Sequence, residues 1–212
     1  RRQLDLKAAE SVEEVAPESP LIDLMPKTLV TLDLETARAF IDGEAEVILK
    51  PTDGFGGQGV VRITPGDPHL PQKLEEATQR GTKEVIVQPF IPEAAQGDKR
   101  ILLLDGKILG AVLRVHSETD FRNNLMTGGR AEPTTLTAQD QRIVDTLRPH
   151  LKGLGLTFVG LDIIGRYLTE VNVTSPTCLQ EMNRLYGKNL EDQVITLMEP
   201  LARRLAASPR PS

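Results

Sequence analysis

The chain has 212 residues, a formal net charge of −5, 39% hydrophobic residues and 26% charged residues. That is enough for one large domain or two small ones with a real core. The acidic balance gives no electrostatic footprint for nucleic acid, and no apolar run approaches the roughly 18 residues that would span a membrane. A single cysteine, Cys178, excludes an internal disulfide and fits a reducing, cytoplasmic compartment.

Residues 1–24 are charged and proline-bearing, without an apolar stretch that would make them a secretory signal. They are expected to form a poorly ordered extension or linker, with a short helix around Leu4 to Val15. A first residue of Arg1 instead of Met implies a chain that is processed, cut from something longer or internal to it. Asp33 is a good N-cap for a helix in which Leu34, Ala37, Phe40 and Ile41 recur at helical spacing, and Gly43 stops it. EVILK (46–50) and VVRI (60–63) read as strands of a hairpin whose tip is the glycine-rich GFGGQG. LPQKLEEATQRG (70–81) is a helix ending at Gly81, and EVIVQ (84–88) is a strand followed by the turn-rich PFIPEAAQGD. RILLLDGKILGAVLRV (100–115) is a hairpin folded about Asp105-Gly106.

The polar stretch 116–136 is long for a loop in a compact domain, and such loops are usually functional or disordered. TAQD (137–140) forms a capping box for a helix reaching about Lys152. TFVGLDII and YLTEVNV make a hairpin about Gly165. A last helix covers Leu190 to Ala206, with a kink expected at Pro200. Hairpins interleaved with helices give an α+β fold with mixed or antiparallel sheets, and argue against a doubly wound parallel sheet.

Three constellations carry chemistry. Gly54, Gly56, Gly57 and Gly59 in GFGGQG formally match a dinucleotide fingerprint, but a strand follows instead of a helix, so that context fails. A kinase-type glycine loop is also a hairpin over phosphates, yet Lys50 precedes this loop, and neither His-Arg-Asp nor Asp-Phe-Gly occurs later. What remains is a hairpin that exposes backbone N–H groups to an anion beside a lysine, against the plain alternative of a mobile tip. In GLDIIGRYLTEVNV, Glu170 and Asn172 share one strand face and Asp162 lies on the partner strand. Two carboxylates and a carboxamide suit Mg²⁺ held with phosphates, against the alternative of a solvated sheet face. Arg100, Arg114, Arg122 and Arg130 lie in or beside the loops, where forked guanidiniums match phosphate or carboxylate, or serve only solubility. His69, His116 and His150 are scattered and imply no zinc site, and Cys178 reads as a bystander thiol.

The order of these parts resembles the ATP-grasp ligases, and ILKPTDGFGGQGV, GDKRILLLDG, GGRAEPTTLT and FVGLDIIGRYLTEVNVTSPT resemble bacterial glutathione synthetase from about Met25 onward. The resemblance implies two sheets clamping ATP, with a central subdomain over 25–91 and a C-terminal subdomain over 92–212. It implies joining of γ-glutamylcysteine to glycine through an acyl phosphate, with release of ADP and phosphate. Lys50 would contact ATP phosphates beneath a lid of Gly56, Gly57 and Gly59. Gln88, Phe90 and Ile91 would hold adenine, with Asp98 at the ribose or hinge. Arg100 and Arg122 would be the catalytic cations. Gly128, Gly129, Arg130, Ser175 and Thr177 would line the substrate site. Asp162, Glu170 and Asn172 would hold Mg²⁺, with Mn²⁺ as the alternative. The expected partners are these small molecules, and a homo-oligomer or the family's N-terminal domain, not nucleic acid or a membrane. The sequence departs from the family pattern in carrying SVEEVAPESPLID where an Asn-Glu-Lys lysine is expected, and Arg122-Asn123-Asn124 where Arg-Gly-Asn is usual. Another ATP-grasp carboxylate–amine ligase and a non-catalytic nucleotide-binding remnant are the alternative readings.

Overall fold

The computed structural model describes residues 21–52, 58–115 and 129–207. The expected helix over residues 4–15, Gly56, Gly57, Arg122 and Gly128 lie outside the described residues.

The first sheet has four strands: β1 (Leu29–Thr31), β2 (Val47–Pro51), β3 (Val61–Ile63) and β4 (Val85–Pro89), in the order β1-β4-β2-β3 and antiparallel throughout. Helices α1 (Leu34–Asp42) and α2 (Leu70–Ala77) cover one face. The alternation along each strand decides which face. Val47, Leu49, Ile63, Val85 and Val87 turn inward against Ala37, Ile41, Leu70 and Leu74. Each such side chain, fully buried, contributes about 1.5 to 3 kcal/mol. Lys50 and Gln88 belong to the opposite face.

Asp33 caps α1 by accepting from Thr36 N at 3.1 Å, and Gly43 ends it. The second helix stops at Ala77, short of Gly81. Thr78 is the reason: its Oγ1 donates to Leu74 O at 2.7 Å and accepts from Gly81 N at 3.0 Å, turning the chain out of the helix.

The second sheet has five strands: β5 (Asp98–Leu104), β6 (Lys107–Val115), β7 (Arg130–Glu132), β8 (Phe158–Ile164) and β9 (Tyr167–Asn172), in the order β7-β6-β5-β8-β9, again antiparallel. Asp105 and Gly106 both take positive φ in the two-residue turn joining β5 to β6, the geometry that matches strand twist. One face packs on α3 (Ala138–Gly153): Ile101, Leu103, Val159, Leu161 and Ile163 meet Ile143, Val144, Leu147 and Leu151. Thr137 and Asp140 form the predicted capping box of α3, and Lys99 pairs with Asp140 while donating to Thr135 O at 3.0 Å.

The other face is divided. Leu102 and Val112 are covered by Cys178, Met182 and Leu190, from α4 (Leu179–Tyr186) and α5 (Leu190–Ala207). Asp98, Arg100, Arg114 and Asp162 occupy the rest. Helix α4 and strands β1 and β7 are absent from the sequence reading, and α5 runs through Pro200 as one helix. Leu24, expected in the loose extension, is fully buried and packs in the core beneath the second sheet.

Candidate functional site

On the first sheet, strand pairing sets Ile48 against Gln88 and Lys50 against Ile86, so Lys50 and Gln88 are diagonal neighbours. Lys50 Nζ donates to Gln88 Oε1 at 2.7 Å, and Gln88 Nε2 donates to Thr28 Oγ1 at 2.8 Å. Thr28 Oγ1 in turn donates to Pro26 O at 2.8 Å, closing a relay that fixes the Lys50 ammonium through a buried amide. Thr28 escaped the sequence reading because no motif contains it. Phe90 follows β4: its N–H donates to Glu46 O at 2.8 Å, and the Arg62 guanidinium lies 4.0 Å from its ring centroid. Ile91 is half-buried and leads into a single 3₁₀ turn over Pro92–Gln96. Gly59 abuts Pro51, where an added Cβ would lie 3.0 Å from Pro51 Cγ.

The second sheet gathers the charged residues. Arg100 stands opposite Asp162, and Asp162 opposite Glu170, so three strands carry one row of charge. Two residues back along β5, on the same face, Asp98 stands opposite Arg114. Arg100 Nε and Nη2 grip Asp162 Oδ1 and Oδ2 at 2.5 and 2.9 Å. Arg114 Nε and Nη2 grip Asp98 Oδ1 and Oδ2 at 2.6 and 2.5 Å, and Arg114 Nη2 also lies 2.8 Å from Asp162 Oδ2. Two carboxylates and two guanidiniums thus form one buried chain. Forked pairs of this kind are the strong ones, and burial makes each member depend on its partners.

The two acids are not alike. Burial pushes the Asp98 carboxyl up to about 6, against the pull of Arg114. Burial acts on Asp162 too, but Arg100 and then Arg114 outweigh it and hold that carboxyl well below the usual range. Burial also raises the Cys178 thiol above its ordinary value, which argues against a reactive thiolate.

The remaining predicted residues divide by distance from this chain. Asn172 Nδ2 lies 3.4 Å from Asp162 Oδ2, and Arg100 Nη1 lies 3.3 Å from Thr177 Oγ1. Gly160 makes room for this arrangement: an added Cβ would lie 2.8 Å from Pro176 Cβ and 3.4 Å from Arg100 Cδ. Ser175 is exposed in the same turn with φ 52°. Arg100, Asp162, Glu170, Asn172 and Thr177 therefore come together. Arg130 does not join them: it is exposed at the β7 edge, where Nε pairs with Glu132 Oε1 at 2.5 Å, and Gly129 precedes it. Arg114, read in the sequence only as a residue flanking the long loop, joins the two acid–base pairs.

The family described as prokaryotic glutathione synthetase, ATP-grasp domain, matches residues 17–187. The glutathione synthetase of Synechocystis sp. is 47% identical over 176 residues, covering 83% of this chain and 55% of that one. That of Vibrio cholerae is 42% identical over 187 residues, covering 88% and 58%. Among solved structures, the ATP-grasp ligase PsnB complexed with a precursor peptide and AMPPNP matches with a TM-score of 0.59 at 18% identity, over 84% of this chain and 55% of that one. The D-alanine–D-alanine ligase of Bacillus anthracis complexed with ATP matches with a TM-score of 0.59 at 17% identity, over 87% and 61%. At such identities these likenesses speak for the fold, two antiparallel sheets with helices, which is that of ATP-grasp proteins. The chain spans about half the length of the curated relatives it matches, at 55% and 54% of the first two. With its family match running from residue 17 to 187, the chain belongs to the prokaryotic glutathione synthetase ATP-grasp family.

Proposed function

We infer that this chain is the ATP-binding part of a glutathione synthetase, which joins γ-glutamylcysteine to glycine through an acyl phosphate and releases ADP and phosphate. The observation that carries this reading is the meeting of Arg100, Asp162, Glu170, Asn172 and Thr177 on one sheet face within the family match. The rest of the enzyme would correspond to the length of the matched relatives outside the region they share with this chain. The absence of any described helix long and apolar enough to cross a membrane is compatible with the cytoplasmic setting such an enzyme needs.

Phosphoryl transfer asks for positioning and charge neutralisation more than for a dedicated acid or base. Lys50, held by Gln88, would place a point charge on the phosphates, with Gly59 and the neighbouring Gly56 and Gly57 over them. Phe90 and Ile91 would face the adenine, and Asp98 would act through Arg114 at the nucleotide's edge. Arg100, with Arg122, would steady the transferred phosphoryl group. Thr177, Ser175, Arg130 and the Gly128-Gly129 pair would receive the peptide and glycine. The donor set of Asp162, Glu170 and Asn172 fits a hard divalent cation, Mg²⁺ or Mn²⁺, because all three offer oxygen and two are anionic. That ion would supply neutralisation of the phosphate charge.

The test is the melting temperature with and without Mg-ATP, beside Lys50→Ala. A ligand at 100 times its Kd that binds only the folded state stabilises it by about 2.7 kcal/mol, on the order of 5 to 10 °C for a chain of this size. A shift that needs Mg²⁺ and vanishes in Lys50→Ala is expected. No shift at millimolar Mg-ATP would overturn the reading.

A further inference from the structure

Asp162 Oδ2 has no acceptor capacity to spare, and Oδ1 is held by Arg100 Nε. A carboxylate offers about four lone-pair positions. Arg100 takes both oxygens, at 2.5 and 2.9 Å, and Arg114 Nη2 shares Oδ2 at 2.8 Å. Asn172 Nδ2 stands 3.4 Å from that same oxygen. The carboxylate is buried, so solvent does not loosen these contacts. A divalent cation approaching Asp162 meets two guanidinium charges already in place, and like charges at such range repel strongly.

We propose that Asp162 is an exchange site, held by Arg100 and Arg114 in the absence of nucleotide and surrendered to a divalent cation only when phosphate oxygens take over a guanidinium. This rests on the reading of this face as an Mg-ATP site. Charge balances on both sides of the exchange: guanidinium–carboxylate pairs become guanidinium–phosphate and cation–carboxylate pairs. The two arginines differ in what they have to lose. Arg114 keeps its forked pair with Asp98 and can release Asp162 without being stranded. Arg100 pairs with no other carboxylate among the described residues, and its remaining contacts, to Thr177 O and Oγ1, are long at 3.4 and 3.3 Å. A buried guanidinium does not give up its counter-ion without a replacement. Arg100 therefore makes cation and phosphate binding interdependent, and such coupling is reciprocal.

The experiment titrates Mn²⁺ into the chain, with free Mn²⁺ followed by electron paramagnetic resonance, with and without a non-hydrolysable ATP analogue. Without nucleotide, Arg100→Gln is expected to bind Mn²⁺ at least about tenfold more tightly than the wild type, because one repelling charge is gone. Adding Asp162→Asn to Arg100→Gln abolishes the gain. With the analogue present, the wild type gains Mn²⁺ affinity and Arg100→Gln gains less. Equal Mn²⁺ affinity of wild type and Arg100→Gln without nucleotide overturns the exchange, even where the analogue binds and the ATP reading stands. A gain in Arg100→Gln with no analogue binding to the wild type supports the competition for Asp162 and overturns the nucleotide reading instead. If Arg100→Gln fails to fold, by its melting curve, Arg114→Gln replaces it: tighter Mn²⁺ binding without nucleotide is expected again, because one repelling charge on Asp162 is gone, while the gain on adding the analogue is kept because Arg100 remains; unchanged Mn²⁺ affinity overturns the exchange.

Discussion

Arg114 stands directly opposite Asp98 across β5 and β6, and the same guanidinium reaches Asp162 on the far side of β5 at 2.8 Å. One arginine thus serves two acids that burial pushes the same way and that end apart because Asp162 also holds Arg100.

Stability should change with pH in opposite senses for the two acids. The Asp98 carboxyl, raised to about 6 from an ordinary 3.8, makes the folded state hold more protons than the unfolded one between those values. Stability attributable to Asp98 therefore falls as pH rises from about 4 to about 6, by on the order of 3 kcal/mol. Asp162 is held below its ordinary value, so its contribution is present above about pH 4 and lost as pH falls further. Urea midpoints measured from pH 4.5 to 7 should decline for the wild type and stay flatter for Asp98→Asn. Parallel profiles would mean that Asp98 is ionised throughout.

Gly97 is closed to any side chain. Its φ is 116°, and an added Cβ would lie 2.5 Å from Arg114 O, a backbone atom that cannot swing away. Gly97→Ala should cost at least about 3 kcal/mol, combining backbone strain and displacement of β6. Gly66 also has positive φ, at 78°, but nothing lies within 4 Å, so Gly66→Ala should cost only about 1 kcal/mol. Chemical denaturation of the two variants separates strain from collision; equal losses would refute the packing account.

Gly160→Ala should act on the cluster itself. The new methyl meets Pro176 and Arg100 together, and overpacking of this kind costs about 1 to 3 kcal/mol. Mg-ATP should then stabilise the variant less than the wild type in a melting experiment. An unchanged ligand-induced shift would show that Pro176 gives way to the methyl without disturbing Arg100.

Thr137→Ala should remove the acceptor for Asp140 N and lower stability by about 1 kcal/mol. Asp140→Ala should lose more, because Asp140 is buried and also pairs with Lys99. Urea midpoints of the two variants check the order.

The elements were largely legible because their periodicities and caps are local. Asp33, Gly43 and the Thr137–Asp140 box fall where pattern alone puts them. Two one-residue register shifts were not legible, and they build the cluster. In the β5–β6 hairpin, Leu103 faces Ile108 but Leu102 faces Gly110. Counting back from the turn without that shift sets Asp98 against Leu113 and turns Arg114 to the wrong face. In the β8–β9 hairpin, Ile163 faces Leu168 but Asp162 faces Glu170, with Thr169 the extra residue and its Oγ1 on Asp162 O at 3.1 Å. Bulges leave no strong mark in residue type, and here each flips the side chains beyond it. Arg114 was therefore visible as a residue and invisible as a partner. Helix α4 failed for a related reason: its N-cap is Cys178 in a left-handed conformation with no side-chain cap, so no start signal exists to read.

Leu24 lies before the first sheet in the chain yet is buried in the core of the second. The first sheet is therefore a detour, leaving the second body at residue 24 and returning to it at Asp98. A part tied down at both ends cannot drift away as a bead on a string would; it can only tilt about the line through its two tethers. A single backbone cut within the detour should accordingly leave two fragments that stay together, whereas two cuts flanking it would release it.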